Sequence, residues 1–189
     1  AETYNRALAR ARGEFIAILE GDDMWPPYKL AEQTPLLQQD RDAVAVYGRA
    51  GIVDEHGQAI GLYLVPQITG THATTADFLL GRSALQPVTV MLRRAALSQI
   101  GGFVQHRGFP AVDLPTWLRL SMIGSFAYHE AVLGLWRAHS RQVTGTHAIL
   151  PSAVEVASDF FQSLSAAERS RLGVTEGDLR VAHARSLAE

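Results

Sequence analysis

An α/β fold, with a mixed and mostly parallel sheet flanked by helices and followed by a helical C-terminal tail, is predicted by three features of the sequence. Short apolar runs alternate with amphipathic stretches along the chain. The first of these runs, Phe15–Leu19, is uninterrupted, which suits a strand covered on both faces. From Ser152 onward the pattern is helical almost to the end, with a break near Gly173 and Val174.

The elements follow in order. Residues 3–12 are rich in Ala, Leu and Arg, place Tyr4, Leu8 and Ala11 on one face, and stop at Gly13, so they predict a helix. The strand at Phe15–Leu19 comes next, and the polar turn Glu20–Asp23 falls at its carboxyl end, where ligands bind in open α/β sheets. Pro26 and Pro27 lead into a helix over Tyr28–Gln39 with Leu30, Leu36 and Leu37 as its apolar positions; Thr34-Pro35 is expected to kink or divide it. Ala43–Tyr47 and Ala50–Val53 read as strands, joined through the turn at 54–58 to a further strand over Ala59–Val65. Thr74 or Thr75 caps a short helix reaching Leu80, Val88–Leu92 is a β-branched strand candidate, and Arg94–Ile100 is a short helix ended by Gly101 and Gly102. Asp113–Ile123 is a helix that carries Asp113 at its amino end, with Leu114, Trp117, Leu118 and Met122 as its apolar positions; Trp117, Leu118 and Leu120 are assigned to the core. Phe126–His129 and Val132–Arg137 are strands, and the polar stretch 138–147 is a loop.

Composition narrows the function. The chain has 189 residues, 47% of them apolar, enough to bury one core. Its 17 basic and 19 acidic residues leave a formal charge of -2, too weak a field for nucleic acid to be an expected partner. The absence of cysteine excludes disulfides, thiolate nucleophiles and cysteine-based zinc sites. Its longest apolar runs, such as Phe15–Leu19 and Val132–Trp136, fall far below the ~20 residues that span a bilayer, so no transmembrane segment is expected in it. The chain opens at Ala1 inside what reads as a helix in progress, and is therefore expected to be a piece of a longer protein.

The residues with chemical potential begin at Glu20-Gly21-Asp22-Asp23. Paired carboxylates after a buried strand suit a hard divalent cation whose remaining positions a diphosphate can fill. Taken alone, the same residues also read as an acidic turn or a helix cap. Asp113, likewise, is either a helix cap or a general base. Gln86 and Pro87 are candidates for the wall of a crevice, and the loop from Val104 to Pro110, with Gly108, for a lid. His72, His106, His129 and His147 lack metal-type spacing and are given no role.

The run NRALARARGEFIAILEGDDMWPPYKLAEQ resembles the segment of family 2 glycosyltransferases that joins a helix to the strand bearing their acidic DxD-type motif. A second run, GGF at 101–103 followed by VDLPTWLRLSMIGSFAYHEAVLGLWRAHSRQVT, is similar to their acceptor-side half, in the family's order. The resemblance implies a partial A-type nucleotide-sugar transferase fold, with residues 1–147 as the catalytic and acceptor-side portion and 148–189 as a tail packed on it. It implies that Asp22 binds Mn²⁺ or Mg²⁺, that Glu20 and Asp23 contact the nucleotide or metal, that Asp113 is the general base, and that Arg137 and His139 of WRAH face the diphosphate or metal. The expected partners are a nucleotide-diphosphate sugar donor and a carbohydrate, lipid-linked or protein acceptor; the expected location is cytoplasmic, at or near the inner membrane face. The sequence departs from the family pattern at Glu20, where Asp is usual, at Val112, where Glu is usual, and in Leu114-Pro115-Thr116. The upstream strands that hold the nucleotide are not among these residues, so the chain alone is expected to turn over little. A non-catalytic binding or scaffold module on the same fold is the alternative, and a metal-dependent phosphotransfer or hydrolytic enzyme using Asp22 and Asp23 ranks after it.

Overall fold

The computed structural model describes residues 1–63, 72–107, 109–140 and 149–186. The elements run α1 (Glu2–Leu8), β1 (Phe15–Ala17), α2 (Lys29–Gln39), β2 (Ala43–Val53), β3 (Ala59–Tyr63), β4 (His72–Ala73) and α3 (Thr75–Leu79). A 3₁₀ turn (Pro87–Thr89), β5 (Met91–Arg93), α4 (Arg94–Gln99), α5 (Asp113–Ser121) and β6 (Ser125–Arg137) follow, then the tail helices α6 (Ile149–Ser163), α7 (Ala166–Leu172) and α8 (Glu176–Ser186). The end of the strand expected at Ala59–Val65, Gly108 of the expected lid, and His147 with most of the loop expected at 138–147 lie outside the described residues.

One sheet organises these elements, in the order β1-β5-β2-β6-β4, with β3 paired to β2. The expectation of a mostly parallel sheet is corrected here: among the described residues only β2 and β6 pair in parallel, and β1–β5, β2–β5, β2–β3 and β4–β6 are antiparallel. β1, β2 and β6 do share one direction, but β5 runs the opposite way between β1 and β2 and converts what would be a parallel neighbour into two antiparallel ones. The strand expected at Phe15–Leu19 is also shorter and less covered: β1 stops at Ala17, stands at the end of the strand order and is half-buried, and Leu19 is exposed, so an apolar run by itself records neither its coverage nor the direction of its neighbour.

Strands predicted in two pieces are continuous. Ala43–Val53 is a single strand whose register against β6 shifts around Gly48 and Arg49, and Ser125–Arg137 is the matching single strand. A further shift between Ala43 and Ala45 breaks the usual two-residue alternation. It places Ala43 and Val46 on the α2 side of the sheet and Val44, Ala45 and Tyr47 on the other.

The larger core fills that second side, where Tyr47, Leu92 and Phe126 meet Phe78 of α3, Trp117 and Leu118 of α5 and Val156 and Phe161 of α6. Phe126 takes the edges of Phe78 and Trp117, with ring centroids at 5.0 and 5.8 Å. Val174 and Leu179 extend the same core into the tail. On the opposite side α2 covers Val46 and Met91 with Leu37, which is fully buried and contributes about 1.5–3 kcal/mol relative to an exposed leucine.

α2 is not divided at Pro35; it is one helix with proline inside it. Its inward residues are Lys29, Gln33 and Leu37, spaced one turn apart; Gln33 bonds to Val46 O and Leu37 packs on Val46 and Met91, and this anchorage holds the helix to the sheet despite the missing N–H. Leu30, expected on the apolar face, is exposed. The 3₁₀ turn replaces the beginning of the strand expected at Val88–Leu92 and lies directly against β6: a Cβ on Gly134 would come within 2.8 Å of the Val88 backbone.

Candidate active site

Because β1, β2 and β6 point the same way, their carboxyl ends share one side of the sheet. Glu20–Asp23 follow β1, Asp54 and Glu55 follow β2, and Arg137 to His139 lie at the end of β6. The acidic turn is pinned to β6 by a two-way backbone pair: Met24 N–H donates to Leu135 O at 3.0 Å, and Leu135 N–H donates to Met24 O at 2.8 Å.

Arg137 fastens the three strand ends together. Its backbone N–H donates to Asp23 Oδ1 at 3.0 Å, Nε donates to Asp22 O at 2.7 Å, and Nη1 donates to Asp54 O at 2.8 Å and Glu55 O at 3.0 Å. The guanidinium therefore shapes the acidic turn through its main chain. Two residues on, His139 Nε2 stands 3.0 Å from Asp22 Oδ2. Asp22 is exposed and Asp23 half-buried, and the difference has an electrostatic counterpart. Burial pushes Asp23 up to about 6, with Asp22 and Glu20 adding to the shift and the Arg137 N–H opposing it.

The facing wall comes from α1 and α5. The Tyr4 hydroxyl donates to Glu20 Oε1, and burial together with that carboxylate pushes the phenol well above its ordinary range. The Tyr4 ring packs on Phe103 at 4.9 Å between centroids. Asn5 holds the same residue through its backbone, donating Nδ2 to Phe103 O at 2.9 Å and accepting Phe103 N–H at 2.8 Å. Asp113 is the first residue of α5, behind Val112, which offers no side-chain cap. Its Oδ1 accepts the Leu114 N–H at 2.8 Å. Burial is the main cause that raises Asp113 to about 6, and the Glu20 charge adds to it.

These walls enclose an open cleft of about 490 Å³ lined by Glu20, Asp22, Asp113 and His139, with Gln86 and Pro87 along one side. Five of the expected positions thus meet in one space or directly behind it, Asp23 backing the turn; Arg137 braces the turn from β6. Gln105 and Pro110 of the segment expected as a lid also line the cleft, and so do Tyr4 and Trp136, for which the sequence carries no functional signal. Tyr4 fits a helix face and Trp136 a strand, and an aromatic inside a strand or helix pattern carries no mark of facing a cleft. Trp136 is half-buried and braced edge-on by Tyr63 at 6.0 Å. Of the histidines left without a role, His72, His106 and His129 pair with Asp40, Asp159 and Glu32 away from this cleft.

The chemistry available is that of two separated carboxylate positions, one paired with an imidazole at a strand end and one half-buried at a helix start. Among the described residues no group of three or more His, Asp or Glu side chains is arranged to hold a metal by itself.

Residues 1–101 match the family described as glycosyl transferase family 2. TuaG of Bacillus subtilis, a glycosyltransferase assigned to teichuronic acid biosynthesis, is 30% identical over 124 residues, covering 66% of this chain and 46% of that protein. Rv1520, an uncharacterised protein of Mycobacterium tuberculosis, is 29% identical over 145 residues, covering 74% of this chain and 39% of that protein. The chain therefore spans less than half the length of these relatives. Among solved structures, residues 1–349 of S. aureus TarS in complex with UDP-GlcNAc superpose with a TM-score of 0.63 at 14% identity, over 89% of this chain and 49% of that one. The mannosyltransferase PcManGT of Pyrobaculum calidifontis, in complex with GDP-Man and Mn²⁺, gives 0.58 at 20% identity, over 100% of this chain and 53% of that one. At these identities the likeness establishes the fold.

Proposed function

The chain belongs to glycosyl transferase family 2, and on that premise we propose that the protein transfers a sugar from a nucleotide-diphosphate donor to an acceptor hydroxyl, with inversion at the anomeric carbon. The observation that carries the proposal is the single cleft joining the acidic turn after β1, the carboxylate at the start of α5 and the histidine after β6. TarS and PcManGT, which share the fold, are seen with UDP-GlcNAc and GDP-Man, and a donor of that class fits the reading.

In this scheme Asp113 takes the proton from the acceptor hydroxyl as its oxygen attacks the anomeric carbon, and the bond from that carbon to the diphosphate breaks on the opposite face. A carboxylate raised to about 6 is ionised at neutral pH and still basic enough to serve. Asp22 and His139 are the residues that would hold Mn²⁺ or Mg²⁺. A carboxylate and an imidazole 3.0 Å apart at a cleft edge suit a cation completed by substrate phosphates rather than by an all-protein cage. Held there, it would supply positive charge against the departing diphosphate. Asp23 and Arg137 keep the turn in shape, and Glu20, held by Tyr4, borders both halves of the cleft. The acceptor is a carbohydrate, a lipid-linked sugar or a protein. Residues 1–147 supply this portion of the site and 148–189 brace it, in a cytoplasmic protein working at or near the inner membrane face. Among the described residues no helix is long and apolar enough to cross a membrane.

Two observations favour a second reading, a binding module without turnover: the Glu20 carboxylate is already engaged by the Tyr4 hydroxyl, and apolar Val112 occupies the position before Asp113. Donor hydrolysis and Mn²⁺-dependent binding of uridine, guanosine and thymidine diphosphates by the full-length protein separate the two. Metal-dependent binding with hydrolysis that falls in Asp22→Ala and Asp113→Asn supports transfer. Binding without hydrolysis supports the module, and full activity in both variants removes the site assignment.

A further inference from the structure

The inward face of α2 is polar where a helix against a sheet is ordinarily apolar. Lys29 is 1% exposed and Gln33 fully buried. Enclosing an ammonium without a carboxylate is costly. Among the described residues the Lys29 ammonium makes one hydrogen bond, to Gln33 Oε1 at 2.6 Å, and lies 5.5 Å from the centre of the Trp25 ring. Burial pushes it down to about 7.

Each partner leads to a different part of the cleft. The Trp25 indole N–H donates to Ile18 O at 3.0 Å, so the ring is fixed to the backbone two residues before the acidic turn that it follows. Gln33 Nε2 donates to Val46 O at 3.0 Å in the sheet and to Thr89 O at 2.8 Å at the end of the 3₁₀ turn. That turn carries Gln86 and Pro87 at its start, and both line the cleft. Gln33 thereby uses its acceptor and both amide hydrogens, and an apolar residue in its place would remove all three bonds. Lys29 itself does not line the cleft, so it does not act on substrate.

We propose that Lys29 is a positioning residue for the transfer site: through Trp25 and Gln33 it sets the acidic turn Glu20–Asp23 against the cleft wall at Gln86 and Pro87. The proposal rests on the transfer reading of the cleft. A buried lysine with so few partners is a poor contributor to stability, and its contacts with Trp25 and Gln33 give it a use that stability does not.

The test measures affinity for Mn²⁺·UDP and Mn²⁺·GDP by calorimetry, and thermal midpoint by circular dichroism, in the full-length protein. The forms compared are the wild type, Lys29→Met, Trp25→Phe and the double variant. Outer residues that orient a metal or phosphate site alter affinity by about 10–100-fold. Lys29→Met and Trp25→Phe are each expected to weaken nucleotide affinity about tenfold, with no matching order in the thermal midpoints, and the double variant is expected to be no weaker than the poorer single one. Additive losses, unchanged affinity in Lys29→Met, or losses that simply follow the thermal midpoint overturn the positioning role. If Lys29→Met does not fold, Trp25→Phe alone decides, because it removes the indole N–H held by Ile18; unchanged affinity there overturns the proposal. Failure of the wild type to bind either nucleotide with Mn²⁺ overturns the transfer reading, and this proposal with it.

Discussion

His139 Nε2 and Asp22 Oδ2 lie 3.0 Å apart although 117 positions separate them in the chain. The contact exists because β1 and β6 end on the same side of the sheet and the Met24–Leu135 backbone pair draws the two ends together. An imidazole beside a carboxylate either orients it or shares a cation with it, and both uses place Asp22 first in importance.

Asp22→Ala is accordingly expected to reduce donor turnover by about 100-fold or more and to abolish its response to Mn²⁺, since a hard cation loses its carboxylate ligand. His139→Ala removes the weaker donor, and about a tenfold rise in the Mn²⁺ concentration needed for half-maximal activity is expected. Metal titrations of initial rate check both. Equal losses in the two variants, or none, contradict the assignment of ligands.

As the proposed base, Asp113 is expected to set the pH dependence. Its carboxyl is raised to about 6 from 3.8, chiefly by burial, and a base works only when ionised, so turnover is expected to rise through pH 6 to a plateau. The stability effect has the opposite sign. A carboxyl that binds its proton more tightly in the folded state destabilises that state when ionised, so this contribution is unfavourable above pH 6 and vanishes below 3.8. Asp113→Asn should therefore lose about 10²–10⁴ in rate while gaining about 1–3 kcal/mol of stability at pH 8. Urea unfolding at pH 8 and at pH 4.5, beside the rate, reads both effects; a gain equal at the two pH values contradicts this account.

The fold and the site were legible to different depths. The carboxyl end of Phe15–Ala17 marks the side of the sheet on which the cleft opens, because the polar turn directly after a strand is a local feature. Asp113 at a helix start was equally local. The reversed β5 was not legible, since Met91 and Leu92 pair with β1 and β2 through contacts that no periodicity records. The polar stripe on α2 misdirected the reading toward Leu30, because a hydrophobic pattern presumes that the buried face is apolar and here it carries Lys29 and Gln33. Tyr4 and Trp136 were hidden for a related reason: their side chains fit a helix face and a strand, and only the arrangement of α1 and β6 turns them to the cleft.

Gly102 offers a purely structural test of how the α1 wall is held. Its φ is +97°, and a Cβ there would stand 2.4 Å from Asn5 Oδ1, the atom that accepts the Phe103 N–H. Gly102→Ala therefore incurs backbone strain and displaces a hydrogen bond, and a loss of about 2–4 kcal/mol is expected. Gly101→Ala, also at positive φ but with open space around it, should cost only the strain, about 1–2 kcal/mol. Denaturant midpoints of the two variants check the difference, and equal losses show that the Asn5 contact adds nothing.

Glu20 connects the two halves of the cleft electrostatically, and its replacement tests whether they form one site. The Glu20 charge helps to raise Asp113, so Glu20→Gln makes Asp113 easier to ionise and moves the acid limb of turnover to lower pH. The limb should stop short of 3.8, because burial is the larger cause and remains. Tyr4 keeps a hydrogen-bond acceptor in glutamine, so the α1 wall stays in place and the shift reports charge alone. Tyr4→Phe provides the converse: the charge stays while its partner goes, and the limb should not move down with the hydroxyl's loss. Rate against pH between 4 and 8 for the three forms separates these outcomes. If the limb of Glu20→Gln coincides with that of the wild type, the turn after β1 and the start of α5 act independently, and a transfer site spanning both is untenable.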